Sequence, residues 1–334
     1  MMFKHHRRAL LALPALALVL ATAACSGGGK APETNTGGGT GGQQADTPKM
    51  TVALISHAPV GDAFFDTIIK GAKDAGAKDN IDVQYSSDGD ANKQATLVQT
   101  AIDSKVDGIA VSIPNPDALR PVIRKAVDAG IPVIAYNAGD RDWQSTGALS
   151  FYGEPEVLAG EAVGEQLAKA GKKKALCVVQ AQGQVQLEDR CAGLKKAFTT
   201  GTTEQIFADG TDVASYSSTV KAKLVNDRSI DAVVTLHPGL GVVVANELKS
   251  SSPKPTVVTF AMNPDVYPLI KSGDIMFTID QQPYLQGYMA IDSIWFYKKN
   301  GNILGANQSI PTGPLVVDQS NVDAVQKYAE AGGR

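Results

Sequence analysis

The sequence lacks the patterns that mark enzymes, metal proteins and nucleic-acid binders. Its 31 lysine and arginine residues nearly balance 34 aspartate and glutamate residues, and the formal net charge is -3 at pH 7. A nearly neutral chain argues against a nucleic acid held through its phosphates. No glycine fingerprint follows a predicted strand, no Ser/His/Asp set occurs in order, and no cluster has the spacing of zinc ligands. The sequence therefore predicts no enzyme, no metal site and no cofactor.

The sequence also lacks an apolar run long enough to cross a membrane comfortably. Three basic residues, Lys4, Arg7 and Arg8, precede a short apolar run over residues 9–21, and small residues follow it. A spanning helix needs about 20 apolar residues, whereas a basic start, a short apolar core and small residues before a cleavage site are typical of an export signal. We therefore expect residues 1–25 to be a signal peptide.

Cys25 directly follows those small residues, and the pattern resembles the lipobox of bacterial lipoproteins. The resemblance implies that the Cys25 thiol receives a diacylglyceryl group, so that the exported protein is tethered to the outer face of the cell membrane through this lipid anchor only. Thr22 departs from the pattern, which usually has leucine there, and a plain secreted protein remains the alternative. Residues 26–49 are rich in glycine and poor in large apolar side chains, which predicts a flexible tether.

Cysteine is scarce, and only Cys177 and Cys191 remain besides Cys25. In an oxidising compartment, two leftover cysteines can pair, and we expect a Cys177–Cys191 disulfide. This bridge would close a loop of about 15 residues, which contributes on the order of 3 kcal/mol in the chain-entropy model. The alternative is two reduced, buried cysteines that act as small hydrophobic side chains.

From Met50 onward, short β-branched runs alternate with amphipathic helical patterns. A strand-like run over residues 51–56 precedes a helical pattern over 62–77, and similar pairs continue to a long last helix over 284–299. Repeated strand–helix units favour parallel sheets with helices on both faces, and this chain has enough units for two such sheets. The predicted fold is α/β, with two doubly wound parallel-sheet lobes.

Polar side chains follow most of the predicted strands. Ligands of open parallel sheets bind where the carboxyl ends of the strands gather, so these positions are candidates for a binding site. Amides, imidazoles and hydroxyls, which donate and accept in fixed directions, suit a neutral polyhydroxyl ligand better than covalent chemistry. The candidate positions are Ser56, His57, Ser86, Ser87, Asp88, Asn115, Asn137, Gln180, His237, Asn263 and Gln281.

The chain resembles the type I periplasmic sugar-binding proteins of bacterial ABC importers, among them the ribose and galactose binders. The resemblance covers nearly all of residues 50–319, and it depends on five segments that occur in order at the family's spacing. These segments are Asp62–Phe65, Val106–Ile109, Ala129–Ile134, Arg190–Gly193 and Asp280–Pro283.

The family fold implies two similar lobes that are joined by three crossing segments and close on the ligand like a hinge. The expected first lobe consists of residues 50–151 and 282–312. The expected second lobe consists of residues 152–281 and 313–334.

The resemblance also implies ligand-binding residues in the first lobe. Asp62 matches the polar hydrogen-bonding residue at the start of the first helix. Phe64 and Phe65 match the aromatic residues that stack on a sugar ring, although both also fit the inward face of the helix and simple core packing remains the alternative. Asn137 follows the strand that ends in Val133–Tyr136, at the predicted site.

The remaining site residues come from the second lobe and the hinge. Arg190 matches the arginine that donates several hydrogen bonds to sugar hydroxyls, the alternative being a surface ion pair with Glu188 or Asp189. His237 occupies a position where the family often has asparagine, and Gln281 lies on a crossing segment where the family places a binding amide or carboxylate. Asn263 completes the predicted set from its place after a strand.

Two departures from the family pattern bear on the ligand. Asn137–Ala138 stands where many pentose and hexose binders have Asp-Arg, and Ala261 stands where an aspartate often binds the ligand. The loss of these charged groups reduces the polar demand of the pocket, and a hydrogen-bonding pocket rejects ligands that leave its groups unpaired. We therefore favour a linear polyol such as a tetritol or pentitol, or a cyclitol, with an aldose as the alternative.

The predicted function is the extracytoplasmic substrate-binding component of an ABC importer for a neutral sugar or polyol. Its expected partners are the ligand and the membrane permease, without nucleic acid, and the protein is expected to act as a monomer. The alternatives are a receptor for a furanosyl signalling molecule and a chemosensory sugar binder of the same fold. A transcription regulator of this fold would need a helix-turn-helix before Met50, where the signal peptide and tether stand.

Overall fold

A computed structural model describes residues 44–59, 61–331 and 333–334 of the chain. The predicted signal peptide, Cys25 and residues 26–43 of the predicted tether lie outside the described residues. None of the described helices is long and apolar enough to cross a membrane.

The described residues form alternating strands and helices in the predicted α/β pattern. The strands are β1 Met50–Ser56, β2 Ile81–Ser87, β3 Gly108–Val111, β4 Val133–Asn137, β5 Phe151–Gly153, β6 Lys174–Val179, β7 Thr202–Phe207, β8 Ala232–Thr235, β9 Thr256–Phe260, β10 Phe277–Asp280, β11 Ser309–Pro311 and β12 Leu315–Val317. The helices are α1 Ala63–Asp79, α2 Ala91–Asp103, α3 Pro116–Asp128, α4 Trp143–Thr146, α5 Glu156–Lys169, α6 Val185–Ala197, α7 Val213–Asn226, α8 Pro238–Glu247, α9 Val266–Ser272, α10 Pro283–Asn300 and α11 Val322–Glu330.

These strands form two six-stranded sheets, one in each lobe. The first sheet has the order β11-β5-β4-β3-β1-β2, and the second has the order β12-β10-β9-β8-β6-β7. Every pairing in the first sheet is parallel, whereas β12 pairs with β10 in the antiparallel sense in the second. The predicted architecture of two doubly wound lobes is confirmed.

The chain passes between the two sheets at three places: from β5 to α5, from β10 to α10, and from β11 to β12. Residues 152 and 153 lie on β5 in the first sheet, slightly beyond the boundary expected from the sequence. Because the carboxyl ends of both sheets face the passages between the lobes, loops from both lobes meet there.

The central strands of each sheet are buried on both faces, as expected for parallel strands covered by helices. Successive residues of β1 point to opposite sides, so Val52 and Leu54 join one apolar cluster while Ala53 and Ile55 join the other. The second lobe repeats this arrangement on β6 with two further clusters. The uninterrupted apolar runs of the sequence thus follow from burial on both faces rather than from a membrane.

One pair of helices in each lobe packs unusually closely. In the first lobe, a Cβ atom on Gly287 of α10 would lie 2.0 Å from the Ile68 carbonyl oxygen of α1. In the second lobe, a Cβ atom on Gly193 of α6 would lie 2.0 Å from the Val157 carbonyl oxygen of α5. Only glycine permits this approach, and it fixes the helices that carry much of the site.

The Cys177–Cys191 disulfide joins β6 to α6 with a Cα–Cα distance of 5.9 Å. Both cysteines are buried in an apolar cluster of the second lobe. The predicted disulfide is confirmed, and the alternative of two reduced cysteines is wrong.

Residues 44–49, the last part of the predicted flexible tether, are hydrogen-bonded to the first lobe. The Ala45 amide donates to the Lys78 carbonyl at 2.7 Å, and the Asn80 side chain donates to the Thr47 carbonyl at 2.6 Å. The Trp295 indole donates to the Thr47 hydroxyl at 3.3 Å. These contacts hold the segment against the end of α1 and against α10.

Candidate functional site

A cavity of about 720 Å³ lies between the carboxyl ends of the two sheets. Its walls come from both lobes and from the second crossing segment, and it falls within the usual size range of small-molecule pockets. The structure brings to this cavity the eight residues that were assigned to ligand binding: Asp62, Phe64, Phe65, Asn137, Arg190, His237, Asn263 and Gln281. Five other strand-end candidates do not line it: Ser56, Ser86, Ser87, Asp88 and Asn115.

The start of α1 forms the apolar wall of the cavity. Asp62 caps the helix, and its Oδ1 accepts a hydrogen bond from the Phe64 amide at 3.0 Å. The Phe64 and Phe65 rings meet edge to face with centroids 5.3 Å apart, and both rings also belong to the apolar core of the first lobe. The two phenylalanines therefore lie where both alternatives would place them, because they pack in the core and also line the cavity.

His57 lies at the carboxyl end of β1 and supports the same wall. The His57 and Phe65 rings meet edge to face with centroids 5.2 Å apart, and His57 Nδ1 lies 2.8 Å from the Ser112 hydroxyl. Burial lowers the pKa of His57 to about 4, with the nearby Asp62 opposing this shift. The imidazole is therefore neutral at physiological pH. Ser112 is fully buried beneath it, which fits a role in orienting His57 rather than in attacking a ligand.

Asp62 and His237 form a polar contact across the cavity, from one lobe to the other. His237 caps α8, where its Nδ1 accepts from the Gly239 amide at 3.2 Å. Its Nε2 therefore carries a proton and lies 3.3 Å from Asp62 Oδ2. Burial of Asp62 opposes ionisation, but the His237 hydrogen bond and the Phe64 amide outweigh it and lower the pKa of Asp62.

Arg190 is buried in the second-lobe wall and is held in a fork by Glu156. Its Nε and Nη2 donate to the two Glu156 oxygens at 2.6 and 3.0 Å, and Nη1 donates to the Leu236 carbonyl at 3.2 Å. The guanidinium also covers the Phe260 ring at 4.7 Å. The alternative of a surface ion pair with Glu188 or Asp189 is wrong, because Glu188 accepts from Gln205 and Asp189 pairs with Arg141.

A second buried carboxyl group, Glu154, lies beside this pair on the first crossing segment. Its Oε2 is 3.8 Å from Arg190 Nη2, and neither of its oxygens has a hydrogen-bond partner among the described residues. Burial and the neighbouring Glu156 raise the pKa of Glu154 well above its usual range. Since the forked contact with Arg190 favours a charge on Glu156, the proton is held on Glu154.

A network of buried amides forms the part of the site nearest the hinge. The Asn137 amide nitrogen donates to Gln281 Oε1 at 3.2 Å and to Gln286 Oε1 at 3.1 Å. Asn137 adopts a left-handed backbone with φ of 64°, which asparagine tolerates better than most residues. Gln281 Oε1 also accepts from the Gln286 side-chain nitrogen at 3.0 Å, so the Gln281 side-chain nitrogen is the group that can donate to a ligand.

Asn263 shapes a loop at the far side of the cavity. Its Oδ1 accepts from the Asp265 and Val266 amides at 3.1 and 3.0 Å and so caps the start of α9. The side-chain nitrogen of Asn263 is the group that can donate towards the cavity.

Three glutamines of the second lobe also line the cavity: Gln180, a strand-end candidate that was not assigned to ligand binding, and Gln184 and Gln186, which no sequence signal indicated. Gln180 follows β6 directly, and its position after a strand was the only sequence signal for it. Gln184 and Gln186 lie farther along, at the start of α6, where no strand end precedes them. His57 likewise lines the cavity and directly follows a strand, β1, and that position was its only sequence signal.

The two lobes touch across the cavity mouth. The Val185 amide donates to the Pro114 carbonyl at 3.0 Å, and Arg141 of the first lobe pairs with Asp189 of the second. Together with the contact between Asp62 and His237, these bonds define a closed arrangement in which a ligand would be surrounded.

Two lobes with an interlobe cavity define a binding protein that closes around its ligand. Residues 52–302 match the model of the periplasmic binding protein domain, and the chain belongs to that family. Proteins of this family are solute-binding transport components rather than enzymes. The family, the fold and the function of a substrate-binding transport component, all predicted from the sequence, are confirmed.

Three relatives illustrate the similarity. A carbohydrate transporter of Acidothermus cellulolyticus, crystallised with myo-inositol, is 46% identical with a TM-score of 0.83; the match covers 86% of this chain and 100% of that one. A solute-binding protein of Burkholderia graminis, crystallised with D-arabinose, is 26% identical with a TM-score of 0.75, covering 83% and 98%. The xylose/arabinose-binding protein of Sulfolobus acidocaldarius is 25% identical, covering 84% and 74%.

Proposed function

We propose that the cavity binds a neutral polyhydroxyl ligand of the cyclitol class, with myo-inositol as the first candidate, and delivers it to the permease of an ABC transporter. The observation that carries this proposal is the pairing of both charged groups of the cavity within the protein. The Arg190 charge is matched by Glu156, and the Asp62 carboxylate accepts a hydrogen bond from the neutral His237 imidazole. A ligand therefore meets a guanidinium that is already ion-paired and a carboxylate that is already hydrogen-bonded within the protein, so neither group calls for a charged ligand.

The other side chains of the cavity wall favour a ligand that is a ring with hydroxyl groups. Phe64 and Phe65 offer an apolar surface to C–H groups, and the amides of Asn137, Gln281 and Asn263 offer directional donors and acceptors around it. A structural relative with nearly half of its residues identical was crystallised with a cyclitol, which favours this class over an open-chain polyol or an aldose.

A calorimetric and thermal-shift screen tests the ligand class. The panel contains myo-inositol, erythritol, xylitol, arabinose, xylose, ribose and a furanosyl signalling molecule. We expect myo-inositol to raise the melting temperature most, because a ligand at 100 times its Kd stabilises the folded state by about 2.7 kcal/mol.

A charged analogue provides the matched control. Inositol 1-phosphate has the same ring but brings a charge that the paired groups of the cavity do not compensate, so it should bind far more weakly. Tighter binding of an aldose than of every polyol in the panel would contradict the cyclitol assignment.

The site of action follows from the family, whose members work outside the cytoplasm. We further infer that Cys25 carries a lipid anchor and that the protein acts as a monomer. The order of basic, apolar and small residues before Cys25 supports the anchor. Replacement of Cys25 by serine should release the protein into the medium or leave it unprocessed. Unchanged processing and membrane retention of Cys25→Ser would contradict the anchor, and light scattering of the purified protein tests the monomer.

A further inference from the structure

Gln186 and Gln180 are the two cavity residues whose side-chain oxygen is buried without a partner among the described residues, and Gln186 is the more deeply buried of the two. The residue lies in the first turn of α6, it lines the cavity, and only 4% of its surface is exposed. Its Oε1 is buried and accepts no hydrogen bond from any residue that the structure describes. A buried acceptor in this state costs free energy unless a donor arrives from elsewhere.

The orientation of the Gln186 amide is set by its two neighbours. The amide nitrogen lies 2.9 Å from Gln184 Oε1 and 3.3 Å from His57 Nε2. Gln184 Oε1 can only accept, so the Gln186 nitrogen must face it. The carbonyl oxygen is thereby directed away from both neighbours.

His57 supports this orientation from the other lobe. The Gln186 nitrogen can only donate, so His57 Nε2 acts as the acceptor and the imidazole proton lies on Nδ1, which is 2.8 Å from the Ser112 hydroxyl. Burial keeps the imidazole neutral, as its pKa of about 4 indicates. Because His57 belongs to the first lobe and Gln186 to the second, the complete arrangement exists only when the lobes are closed.

We propose that the Gln186 carbonyl accepts a hydrogen bond from one ligand hydroxyl and makes the site select for a free hydroxyl at that position. This assignment rests on the proposed function and deepens it. A hydroxyl can donate to the carbonyl, whereas fluorine, an ether oxygen or hydrogen at the same ring position cannot. The selection is completed on closure, because the acceptor is oriented by a contact that crosses the cleft.

The test uses myo-inositol and the series of inositols in which fluorine replaces one hydroxyl at a time. In calorimetry with the parent protein, at least one fluorinated position should bind about tenfold or more weakly, which corresponds to about 1.4 kcal/mol. In Gln186→Met, which keeps the length of the side chain but removes the acceptor, myo-inositol should bind about tenfold more weakly. The preference for hydroxyl over fluorine at that same position should fall to within about threefold, as expected when the hydrogen bond is absent.

Gln180→Met is the matched control for position, because Gln180 lines the cavity from the same lobe and its Oε1 is likewise buried without a partner among the described residues, but at a different place. Gln180→Met should keep the parent's preference for hydroxyl over fluorine at the ring position that is assigned to Gln186. If Gln186→Met discriminates against fluorine at every position as strongly as the parent, the assignment of Gln186 is wrong while the cyclitol function stands.

Two further results keep the assignment testable whatever the variant's stability. A crystal structure of the parent with myo-inositol should place a ligand oxygen within about 3.0 Å of Gln186 Oε1, and a longer distance would overturn the assignment. If the parent does not bind myo-inositol at all, the cyclitol function fails, and the role of Gln186 fails with it.

Discussion

At the level of single residues, the charged groups of the cavity are fixed by partners inside the protein rather than left for a ligand. Arg190 is 5% exposed and Glu156 is fully buried, so their pairing avoids an isolated buried charge. A ligand in the cavity would meet a guanidinium whose position is already set. A large part of the specificity then comes from where the remaining donors and acceptors point.

Arg190→Ala should lower both the stability of the protein and its affinity for ligand. Removal of the arginine leaves Glu156 buried without its partner, which we expect to lower the free energy of unfolding by about 3–5 kcal/mol. In Arg190→Ala/Glu156→Gln, part of that stability should return because the unpaired charge is gone. Affinity should stay at least tenfold weaker in the double variant, since a charge-assisted hydrogen bond is worth about 1.5–3 kcal/mol. Urea denaturation and calorimetry measure the two effects, and parent-like affinity in the double variant would argue against ligand binding by Arg190.

His57 should make the fold less stable as the pH falls. A histidine in the unfolded chain has a pKa of about 6.5, whereas burial lowers the pKa of His57 to about 4 in the fold. Between these values the unfolded chain binds more protons, so stability is lost on acidification below about pH 6.5, by about 2 kcal/mol between pH 7.5 and pH 5.

The comparison with His57→Gln separates the contribution of His57 to the pH dependence of stability from the contributions of the carboxyl groups. The half-buried Asp140, whose pKa partial burial raises to about 6, changes stability in the opposite direction over the same range. We therefore expect the free energy of unfolding of the parent, relative to His57→Gln, to decline by about 2 kcal/mol from pH 7.5 to pH 5. A difference that does not change with pH would show that His57 is not buried in its neutral form.

At the level of elements, α6 carries more of the site than any single strand does. It presents Gln186 and Arg190 to the cavity, packs against α5 through Gly193, and is joined to β6 by the disulfide at Cys191. The helix is thus held on both sides, which fixes the direction of the side chains it presents.

Loss of the disulfide should destabilise the second lobe. We expect Cys177→Ala/Cys191→Ala to lower the free energy of unfolding by about 3 kcal/mol, because a loop of about 15 residues is no longer closed in the unfolded chain. Guanidinium denaturation measures the change, and the reduced parent serves as the control, since it should behave like the double variant. An unchanged midpoint would contradict this expectation, as would two alkylatable thiols in the air-exposed parent.

Sequence patterns were enough to predict the alternating elements and the edge where the site lies. Parallel strands gather their carboxyl ends, so residues such as Asn137 and His237 could be placed at the cavity from their position after a strand. Gln186 could not, because it belongs to a helix whose direction depends on packing against α5. The partner of Arg190 was also missed, since Glu156 is 34 positions away and only the fold brings the two together. Strands β5, β11 and β12 have three residues each, too few to show a period.

At the level of the whole molecule, closure depends on a small number of contacts between the lobes. The contacts of Asp62 with His237 and of His57 with Gln186 join residues of the cavity wall. The hydrogen bond from Val185 to Pro114 and the ion pair of Arg141 with Asp189 join the lobes beside it. A ligand that touches both walls adds to these contacts, and so it shifts the population towards the closed form.

Arg141→Gln should weaken ligand binding slightly by destabilising the closed form. The Arg141 side chain is 60% exposed, so its pairing with Asp189 is worth about 0.2–1 kcal/mol, or a rise in Kd of roughly 1.4- to 5-fold. Arg120→Gln is the matched control, because Arg120 pairs with Asp117 within the first lobe and should leave Kd unchanged. Calorimetry gives the two Kd values, and small-angle scattering of the ligand-free proteins should show a larger radius of gyration for Arg141→Gln only. Equal effects of both substitutions would show that the interlobe pair does not contribute to closure.

The attachment of residues 44–49 to the first lobe has a mechanical consequence. These residues are bonded to the end of α1 and to α10, and they lead into the amino end of β1, at the pole of the sheet opposite the cleft. A pulling force on the N-terminal segment therefore enters the first lobe at that pole. The force passes neither through the three crossing segments nor across the cavity. Tension at the N-terminus therefore leaves the hinge unstrained, and the second lobe can still rotate relative to the first.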